Sequence, residues 1–585
     1  MQSRLLAAAL ITLPMCAQPN GAVLFEKNCK VCHQAGSAMR APLMDALNGM
    51  TPEAIRTALE SGSMKAQGAT LSAVERQTLA SFLGKGSKVE ATDAACAVDQ
   101  TRTAITIGWN GWGVDYDNSR MQPAAMAGLD AASVPRLKLK WAFGIPGANT
   151  VNSQPAIVGG RMYFGSQDGT VYALNARTGC TYWTFKAAAS VRSAMTVSAE
   201  GTLYFGDLKA NAYALNSQTG KQLWRVQLDD HPVARITAAP KLWNNKLYVP
   251  ISSVEEVSGG NPKYECCTFR GSVAAVDAAT GKLIWKSYTI PDPPQATTKS
   301  SVGVQLHGPS GAAVWLSPTI DVSRKVLYIG TGNGYSDPAT KYTEAVIAYD
   351  LETGSMKWSQ QLTPGDGWNF ACSAQGGGPN CPKDRGPDVD IGASPILRKN
   401  IILVGQKSGV VYGLDAESQG KLLWQTRIGK GGSLGGIQWG MASDDKTVYI
   451  ALSDRRLGRW QEEGGLFALD IATGAKRWNT PAPKPECLSH PNCSAAQMAP
   501  VTLIPGVVLN GSMDGHMRAY AAGDGKIIWD FDTLRDFETI NGVKARGGSI
   551  SGSGAVVVGG IMYINSGYGA LSGIPGNVVL AFAAE

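Results

Sequence analysis

A short phrase of the form A-x-D/N-x-x-T-G-x-x-x-W recurs along the 585-residue chain and constrains its fold more than any other feature. In each copy the Thr-Gly pair is typical of a tight turn between two strands, in which glycine supplies a positive φ. The length of the repeat is that of a propeller blade. The phrase therefore predicts a series of blades whose tryptophans dock neighbouring blades and carry no chemistry. Close copies end at Trp183, Trp224, Trp285, Trp358 and Trp478, and looser copies end at Trp424 and Trp529.

One further blade is divided between the two ends of the repeat region. The segment 137–141 ends in Trp141 without a strand to pair with before it, and the segment 577–582 reads as a strand with no tryptophan after it. Pairing these segments closes the ring and removes the open sheet edge of an unclosed array. We therefore predict an all-β, eight-bladed propeller with Trp-docking repeats over residues 111–585.

Composition agrees with this architecture and bears on the class of partner. The chain contains 69 glycines and 30 prolines, as expected for a turn-rich β-protein. Its formal net charge is only +7, and it has no cluster of basic residues with interleaved aromatic residues. The sequence therefore predicts no nucleic-acid partner.

The first 17 residues read as a secretory signal. Arg4 precedes an apolar run over residues 5–13, and small residues surround a cleavage point after Ala17. Cys16 leaves a lipid anchor open as an alternative, although the residues before it match such sites poorly. No other segment is long enough to span a bilayer, so we expect a periplasmic protein without a transmembrane anchor.

Eleven cysteines also favour export. Apart from Cys16 and the pair Cys29 and Cys32, an even number remains, which is typical of a set of disulfides. Short separations predict two loop-closing bonds, Cys372 with Cys381 and Cys487 with Cys493. The remaining cysteines are the adjacent Cys266 and Cys267 and the distant Cys96 and Cys180.

Residues 29–33 read C-x-x-C-H, the signature of covalent haem attachment. In such a site the thiols of Cys29 and Cys32 bind the porphyrin and His33 binds the iron. An amphipathic helix predicted over residues 72–83 could close a small cytochrome fold. We therefore predict an all-α c-type cytochrome domain over residues 18–88 and a polar linker over residues 89–110.

A low-spin haem needs a second axial ligand, and methionine in that position raises its potential. Met64 is the preferred residue because it lies in a loop before the last predicted helix, where small c-type cytochromes place this ligand. Met39, Met44 and Met50 remain alternatives.

The segments 315–318 (Trp-Leu-Ser-Pro) and 326–333 (Val-Leu-Tyr-Ile-Gly-Thr-Gly-Asn) resemble the quinoprotein alcohol dehydrogenases. The resemblance extends from about Trp112 to the end of the chain. It implies an eight-bladed propeller that holds pyrroloquinoline quinone and a divalent metal on its axis. The cytochrome at the N-terminus is similar to that of the cytochrome-linked polyvinyl alcohol dehydrogenases, since other quinohaemoprotein alcohol dehydrogenases carry theirs at the C-terminus.

The resemblance also implies a metal site built from separate blades. Glu255 matches the metal-binding carboxylate, with neighbouring Glu256 as its competitor, and Asn333 matches the amide ligand. Asp388 matches the aspartate that contacts the metal and serves as the catalytic base. Two carboxylates and an amide oxygen suit Ca²⁺. Asp390 is an additional carboxylate two residues after Asp388, and some relatives with this D-x-D spacing bind a lanthanide.

For the quinone, the matching residues are Thr237, Ser252, Trp315 as the aromatic floor, Lys407 and Trp439. A planar tricarboxylate needs such a floor, and a lysine stabilises the negative charge that develops on the quinone oxygen. Family members often stack a vicinal disulfide on the quinone, and Cys266-Cys267 has the local form of that motif. Because it lies one blade later than in methanol dehydrogenase, both a quinone contact and a ring that stiffens the loop remain open.

The activity that the resemblance implies is alcohol oxidation. Asp388 takes the hydroxyl proton, hydride passes to the quinone, and electrons reach the haem on His33 and then an external cytochrome c. The expected substrate is polyvinyl alcohol, oxidised at its secondary alcohol groups to ketones. The alternatives are a dehydrogenase of small or cyclic alcohols or of another polyol and, from a different class, a non-catalytic propeller scaffold.

Overall fold

A computed structural model of the protein describes residues 20–34, 41–60, 62, 64–86, 94–96, 107–456 and 459–585. The predicted secretory signal, Cys16 and Met39 lie outside these residues. None of the helices in the described ranges is long and apolar enough to cross a membrane.

The described N-terminal residues are helical. Ser72 and Glu75 form a capping box that begins the last helix. An apolar core between the helices includes Leu24, Phe25 and Leu79. The helices are α1 (Gly21–Asn28), α2 (Met44–Asn48), α3 (Pro52–Glu60), α4 (Lys65–Gly68) and α5 (Ala73–Leu83).

The rest of the described chain forms eight antiparallel blades. The chain enters through β1 (Ile107–Trp109) and β2 (Leu137–Gly144), which lie in different blades. Blades one and two contain, with β1, the strands β3 (Ala156–Val158), β4 (Arg161–Gly165), β5 (Thr170–Asn175), β6 (Thr181–Lys186), β7 (Thr196–Val197), β8 (Thr202–Gly206), β9 (Asn211–Asn216) and β10 (Gln222–Gln227). Blade three contains β11 (Ala234–Arg235), β12 (Lys241–Trp243), β13 (Lys246–Ser253), β14 (Ser272–Asp277) and β15 (Leu283–Tyr288).

The fourth to eighth blades follow in chain order, with two short hairpins between blades. The first hairpin is β16 (Gln295–Lys299) and β17 (Gln305–Gly308). Blades four and five are β18 (Thr319–Asp321), β19 (Val326–Gly330), β20 (Ala345–Asp350), β21 (Met356–Gln361), β22 (Ile396–Arg398), β23 (Ile401–Gly405), β24 (Val410–Asp415) and β25 (Lys421–Arg427). Blades six and seven are β26 (Ala442–Ser443), β27 (Thr447–Leu452), β28 (Gly465–Asp470), β29 (Lys476–Pro481), β30 (Thr502–Ile504), β31 (Val507–Gly511), β32 (His516–Ala521) and β33 (Ile527–Asp532). The second hairpin and the eighth blade are β34 (Asp536–Phe537), β35 (Ala545–Arg546), β36 (Val556–Val558), β37 (Ile561–Ser566) and β38 (Val578–Ala584).

The two ends of the repeat region close the ring, as predicted. β2 pairs antiparallel with β38, and Trp141 lies opposite Ala581. β38 also pairs with β37, so the last blade combines the first and last long strands of the propeller. The predicted eight-bladed fold is therefore confirmed.

The repeated tryptophans dock neighbouring blades through a shared geometry. The indole nitrogen of Trp183 donates to the carbonyl oxygen of Ser217 at 3.0 Å, and that of Trp224 donates to the carbonyl oxygen of Ala278 at 3.0 Å. The turn glycine of the next blade lies against the same ring. A Cβ on Gly281, whose φ is 73°, would come within 2.8 Å of Trp224. The turn therefore needs glycine both for its backbone conformation and for the close approach of the ring.

The boundary of the propeller lies earlier in the chain than the sequence predicts. β1 pairs with β3, so residues 107–109 belong to the first blade rather than to the linker. Arg120 is fully buried behind β1, and its guanidinium donates to the carbonyl oxygens of Val501 and Trp112 at 2.6 and 2.7 Å. The segment that leads to β2 therefore binds the first blade to the seventh.

Disulfides join the predicted pairs of cysteines. The bonds are Cys96–Cys180, Cys266–Cys267, Cys372–Cys381 and Cys487–Cys493. The first of them ties the described part of the linker to the first blade. The short-range pairings predicted from separation are confirmed.

The remaining helical segments connect strands. They are α6 (Ala124–Ala127), α7 (Glu255–Ser258) and the 3₁₀ turns Val134–Arg136, Phe370–Ser373 and Trp460–Glu462. α7 follows β13 directly and is the one that matters for the site.

Candidate functional site

A lysine and two aspartates meet where the fifth blade begins. Asp388 and Asp390 lie before β22, and Lys407 follows β23 in the same blade. Nζ of Lys407 lies 3.4 Å from Oδ1 of Asp388 and forms an ion pair with Asp390. All three side chains are largely buried. The two aspartates predicted from the sequence are thus brought together by the predicted lysine.

Asn333 joins this group from the fourth blade. Its backbone N–H donates to Oδ1 of Asp390 at 2.8 Å. Its side-chain amide donates to the carbonyl oxygens of Gly334 and Trp368 at 3.1 and 2.6 Å. Because both amide hydrogens are used, the amide oxygen remains for a ligand.

Glu255 has a different position from the one predicted. Its carboxylate is fully buried and accepts hydrogen bonds from the backbone N–H groups of Thr268 and Phe269, both at 2.8 Å, and from the hydroxyl of Tyr264 at 3.0 Å. Both oxygens therefore hold the following loop in place. These hydrogen bonds compete with metal binding, and the role of Glu255 as a metal ligand stays a prediction.

Glu256, the competing residue, is the glutamate that enters the cluster. It interacts electrostatically with Asp390, Lys407 and Arg235. Burial, followed by the charge of Asp390, raises the pKa of Glu256 to about 7. Successive residues of a helical turn point in directions about 100° apart, so α7 directs Glu255 and Glu256 to different surroundings. We therefore replace Glu255 by Glu256 as the candidate metal carboxylate.

The cluster carries an excess of negative charge. Burial raises the pKa of Asp388 well above its usual range, Lys407 opposes this shift, and Asp390, Glu256 and Asp366 add to it. Burial alone would lower the pKa of Lys407, but the surrounding carboxylates raise it above its usual range. Three carboxylates around one ammonium group favour an additional cation, as a metal site requires.

The predicted aromatic floor lies beside this cluster. Trp315 and Trp439 pack edge to face, with ring centroids 5.4 Å apart and planes at 82°. Nζ of Lys407 lies 5.8 Å from the centroid of Trp315. The hydroxyl of Thr237 donates to the carbonyl oxygen of Trp315 at 3.2 Å. A cavity beside them is lined by these two tryptophans, Thr237 and Arg192 among others.

Two arginines that the sequence analysis missed lie in this region. The guanidinium of Arg192 is 4.8 Å from the ring centroid of Trp439 and lines the cavity. Arg235 lies on β11 opposite Ser252 on β13, and its Nε is buried without a hydrogen-bond partner. Burial, followed by the charge of Arg192, lowers the pKa of Arg235 to about 10.

In the described part of the chain neither arginine forms a salt bridge. Arg192 and Arg235 are neighbouring, partly buried cations without an ion-paired carboxylate, although the charge of Glu256 acts on Arg235. Such a pair fits an anionic ligand such as a polycarboxylate. Arg235 precedes the predicted Thr237 by two residues, which is the one signal in the sequence that could have indicated it.

The vicinal cysteines lie near the floor but outside the cavity lining. Cys266 and Cys267 are buried in an apolar cluster against which Trp315 packs. The side-chain amide of Asn369 lies 3.8 Å from the sulfur of Cys266. The contact of this disulfide with a quinone stays a prediction.

The residues predicted to hold haem lie together in the helical domain. Cys29 and Cys32 are free thiols. Nδ1 of His33 lies 2.7 Å from the carbonyl oxygen of Pro42, a contact that leaves Nε2 for iron. Met64 packs at the edge of the helical core, whereas Met50 is buried within it. Met64 as the second ligand stays a prediction.

Family models match the propeller and the helical N-terminal part of the chain separately. The model described as outer membrane protein assembly factor BamB matches residues 135–259 and 389–578. The model described as glucose/ethanol/alcohol dehydrogenase, beta-propeller domain, matches residues 229–383. The model described as cytochrome C oxidase, cbb3-type, subunit III, matches residues 17–83.

Two curated relatives align over nearly the whole chain. A polyvinylalcohol dehydrogenase of a Pseudomonas species is 39% identical over 97% of this chain and 94% of its own length. A polyvinylalcohol dehydrogenase of Sphingopyxis sp. (strain 113P3) is 38% identical over 97% of this chain and 93% of its own length.

A solved structure shares the fold. It is the quinohemoprotein alcohol dehydrogenase ADHIIG of Pseudomonas putida HK5, with 22% sequence identity and a TM-score of 0.62 over 84% of this chain and 83% of that chain. The alignments with the two curated relatives cover nearly the whole chain at higher identity, so they indicate the family as well as the fold. On their evidence, the chain belongs to the polyvinylalcohol dehydrogenase family of pyrroloquinoline quinone-dependent alcohol dehydrogenases.

Proposed function

We propose that the protein is a periplasmic quinohaemoprotein that oxidises the secondary alcohol groups of polyvinyl alcohol to ketones and passes electrons through haem c to an external cytochrome c. The observation that carries this proposal is the meeting of Asp388, Asp390, Lys407 and Glu256 beside Trp315. The substrate follows from the two relatives whose names specify polyvinyl alcohol. The disulfides agree with an exported protein.

Glu256, Asn333 and Asp388 are the proposed metal ligands, with Asp390 as an additional carboxylate. They offer hard oxygen donors, which Ca²⁺ prefers. The additional carboxylate would also suit a lanthanide, whose higher charge compensates more of the negative charge of the cluster.

The proposed cofactor site combines the aromatic floor with cations for its carboxylates. Trp315 is the floor, Trp439 meets it at the edge, and Arg192 and Arg235 supply positive charge that forms no salt bridge in the described part of the chain. Thr237 and Ser252 are further polar contacts, and Cys266-Cys267 is a proposed contact from the other side. The unpaired, buried Nε of Arg235 is the observation that best fits a ligand with several carboxylates.

When bound, pyrroloquinoline quinone accepts the hydride from the carbinol carbon. Asp388 would accept the hydroxyl proton, and the neighbouring Lys407 favours its ionised form. Asp366 positions this base, because it accepts the backbone N–H groups of Asp388 and Val389 at 3.0 and 2.8 Å. Lys407 is the group placed to stabilise negative charge on the quinone oxygen.

The cytochrome in the same chain provides the first electron acceptor at a high effective concentration. The helical domain contacts the propeller: Nδ2 of Asn149 donates to the carbonyl oxygen of Ala46 at 3.4 Å, and Thr51 lies against Gly147. Oxidation of each alcohol group releases two electrons, and a haem held by Cys29, Cys32 and His33 would supply a one-electron carrier between the propeller and the external cytochrome c.

The proposal is tested by substrate range after reconstitution with the quinone and Ca²⁺. We expect reduction of cytochrome c with a higher kcat/KM for polyvinyl alcohol and longer secondary alcohols than for methanol or ethanol, because secondary carbinols need room on both sides of the reacting carbon. Higher kcat/KM with short primary alcohols would contradict the polymer assignment but not the quinohaemoprotein. Asp388→Asn should abolish turnover and leave the haem spectrum unchanged.

A further inference from the structure

A second group of metal-ligating side chains lies in the seventh blade. His516 begins β32 and pairs with Asp532 at the end of β33. Glu486 approaches them from the segment between blades six and seven, next to the Cys487–Cys493 disulfide. A ring nitrogen of His516 and one carboxylate oxygen each of Glu486 and Asp532 lie within 4.8 Å of one another.

The imidazole of His516 is oriented by a carboxylate. The residue is only 7% exposed, and its Nδ1 lies 2.6 Å from Oδ1 of Asp530. An ionised aspartate in this position accepts the Nδ1 proton and leaves the lone pair of Nε2 for a ligand. Nε2 has no hydrogen-bond partner in the described part of the chain.

The supporting carboxylate is itself fixed. Nε of Arg518 donates to Oδ2 of Asp530 at 3.0 Å, and Nη2 of the same arginine donates to Oδ2 of Asp514 at 2.8 Å. This chain of contacts from Asp514 to His516 is the arrangement in which metal-binding histidines are commonly oriented.

The charge of the group favours a cation. Glu486 and Asp532 lie at His516, and the guanidinium of Arg518 is paired with the other two carboxylates nearby, those of Asp514 and Asp530. Glu486 is exposed, so solvent reaches the group. We propose that Glu486, His516 and Asp532 form a second metal site, distinct from the axial one, for a first-row transition dication such as Zn²⁺. One imidazole nitrogen with two carboxylate oxygens suits such an ion better than it suits Ca²⁺, which prefers oxygen ligands alone.

A metal at this position would tie a loop of the cofactor region to the seventh blade. The segment that carries Glu486 continues to Ala496, whose carbonyl oxygen accepts the backbone N–H of Met513 at 2.9 Å. Ala496 and Met513 pack in the apolar cluster that contains Trp439. The second metal therefore stabilises the wall next to Trp439 rather than taking part in the chemistry.

The test is Zn²⁺ binding to the full-length holoenzyme saturated with Ca²⁺, with metal content per haem iron measured after removal of free Zn²⁺. We expect one Zn²⁺ per chain and a higher melting temperature in its presence. Glu486→Gln and Asp532→Asn should each weaken Zn²⁺ binding at least about tenfold, and Asp530→Asn should weaken it by about 10–100-fold because it orients His516.

Two control variants distinguish Zn²⁺ binding at this site from binding at the proposed Ca²⁺ site and from binding to exposed carboxylates. Asp388→Asn, which removes an axial ligand, should retain the Zn²⁺. Asp536→Asn, which alters a carboxylate that is 83% exposed near the end of the same blade, should also leave binding unchanged. Absence of bound Zn²⁺ in the native protein, or equal affinity in the Glu486→Gln/Asp532→Asn double variant, would overturn the proposal.

Discussion

Glu255 and Glu256 are adjacent and chemically identical, yet the first turn of α7 gives them different roles. Glu255 accepts two backbone N–H groups of the loop that carries the vicinal cysteines, whereas Glu256 interacts with Asp390 and Lys407. A buried carboxylate with several donors is satisfied by the protein, and one that faces other carboxylates is satisfied only by a cation. The same contrast distinguishes Asp366, which accepts backbone N–H groups, from Asp388.

This difference predicts separable effects of the two amide substitutions. Glu256→Gln should strongly weaken Ca²⁺-dependent reconstitution and turnover and leave the melting temperature of the metal-free protein nearly unchanged. Glu255→Gln should keep the Ca²⁺ dependence but lose about 1–3 kcal/mol of unfolding free energy, because charged hydrogen bonds to Thr268 and Phe269 become neutral ones. Both variants are compared by Ca²⁺ titration of dye reduction and by urea unfolding. A loss of Ca²⁺ dependence in Glu255→Gln alone would reverse our assignment.

The element that repeats through the propeller is the contact between a tryptophan and the turn glycine of the next blade. Gly220 lies against Trp183, Gly281 against Trp224 and Gly354 against Trp285. Each turn has a positive φ, so its glycine is required by backbone conformation and by packing together. The blades are therefore docked by a contact that each copy of the sequence repeat specifies on its own.

Gly281→Ala should destabilise the protein more than a turn glycine without a neighbouring ring would. Gly160→Ala is the matched control: both glycines have a φ of 73°, but nothing lies within 4 Å of a Cβ at Gly160. We expect Gly160→Ala to cost about 1–2 kcal/mol for the left-handed conformation. Gly281→Ala should cost about 1–3 kcal/mol more, because its Cβ would overlap Trp224. Equal shifts in denaturant unfolding would show that the docking contact adds nothing to the backbone requirement.

At the scale of the whole molecule, the ring of blades positions the proposed site and contacts the helical domain. The proposed metal ligands come from blades three, four and five, and the arginines come from blades two and three. Closure of the ring by β2 and β38 keeps these blades in register. The helical domain contacts the segment after β2, beside the closing blade.

The contact between the helical domain and the propeller predicts that one substitution can slow haem reduction without changing dye reduction at the propeller. Asn149→Ala removes the hydrogen bond to Ala46 and should slow the reduction of the haem by substrate several-fold, as followed by stopped-flow absorbance. Reduction of an artificial dye directly at the propeller should stay the same, because Asn149 is not part of the carboxylate cluster. Equal losses in both assays would indicate general damage, and an unchanged rate of haem reduction would show that this contact does not control transfer.

Features encoded within one segment could be predicted from the sequence. The C-x-x-C-H motif, the Cys372–Cys381 and Cys487–Cys493 bonds and the tryptophan of each blade all depend on residues close together in the chain. The closing blade was also predictable, because each end of the repeat lacked the half that the other supplied. The boundary of the propeller was misplaced because β1 has no repeat signal and is defined only by its pairing with β3.

The proposed membership of the cofactor site depends on the tertiary structure. The sequence alone determined that Asp388, Asn333, Trp315 and Lys407 were candidates, since each lies in a recognisable motif. It could not choose between Glu255 and Glu256, because that choice depends on which side of a short helical turn faces the aspartates of another blade. Arg192 and Arg235 carry no local signal in the sequence, and only the folded structure shows that they lie near each other without a salt-bridge partner. Burial and the pairing of charge are properties of groups that meet across blades, so only the folded molecule specifies them.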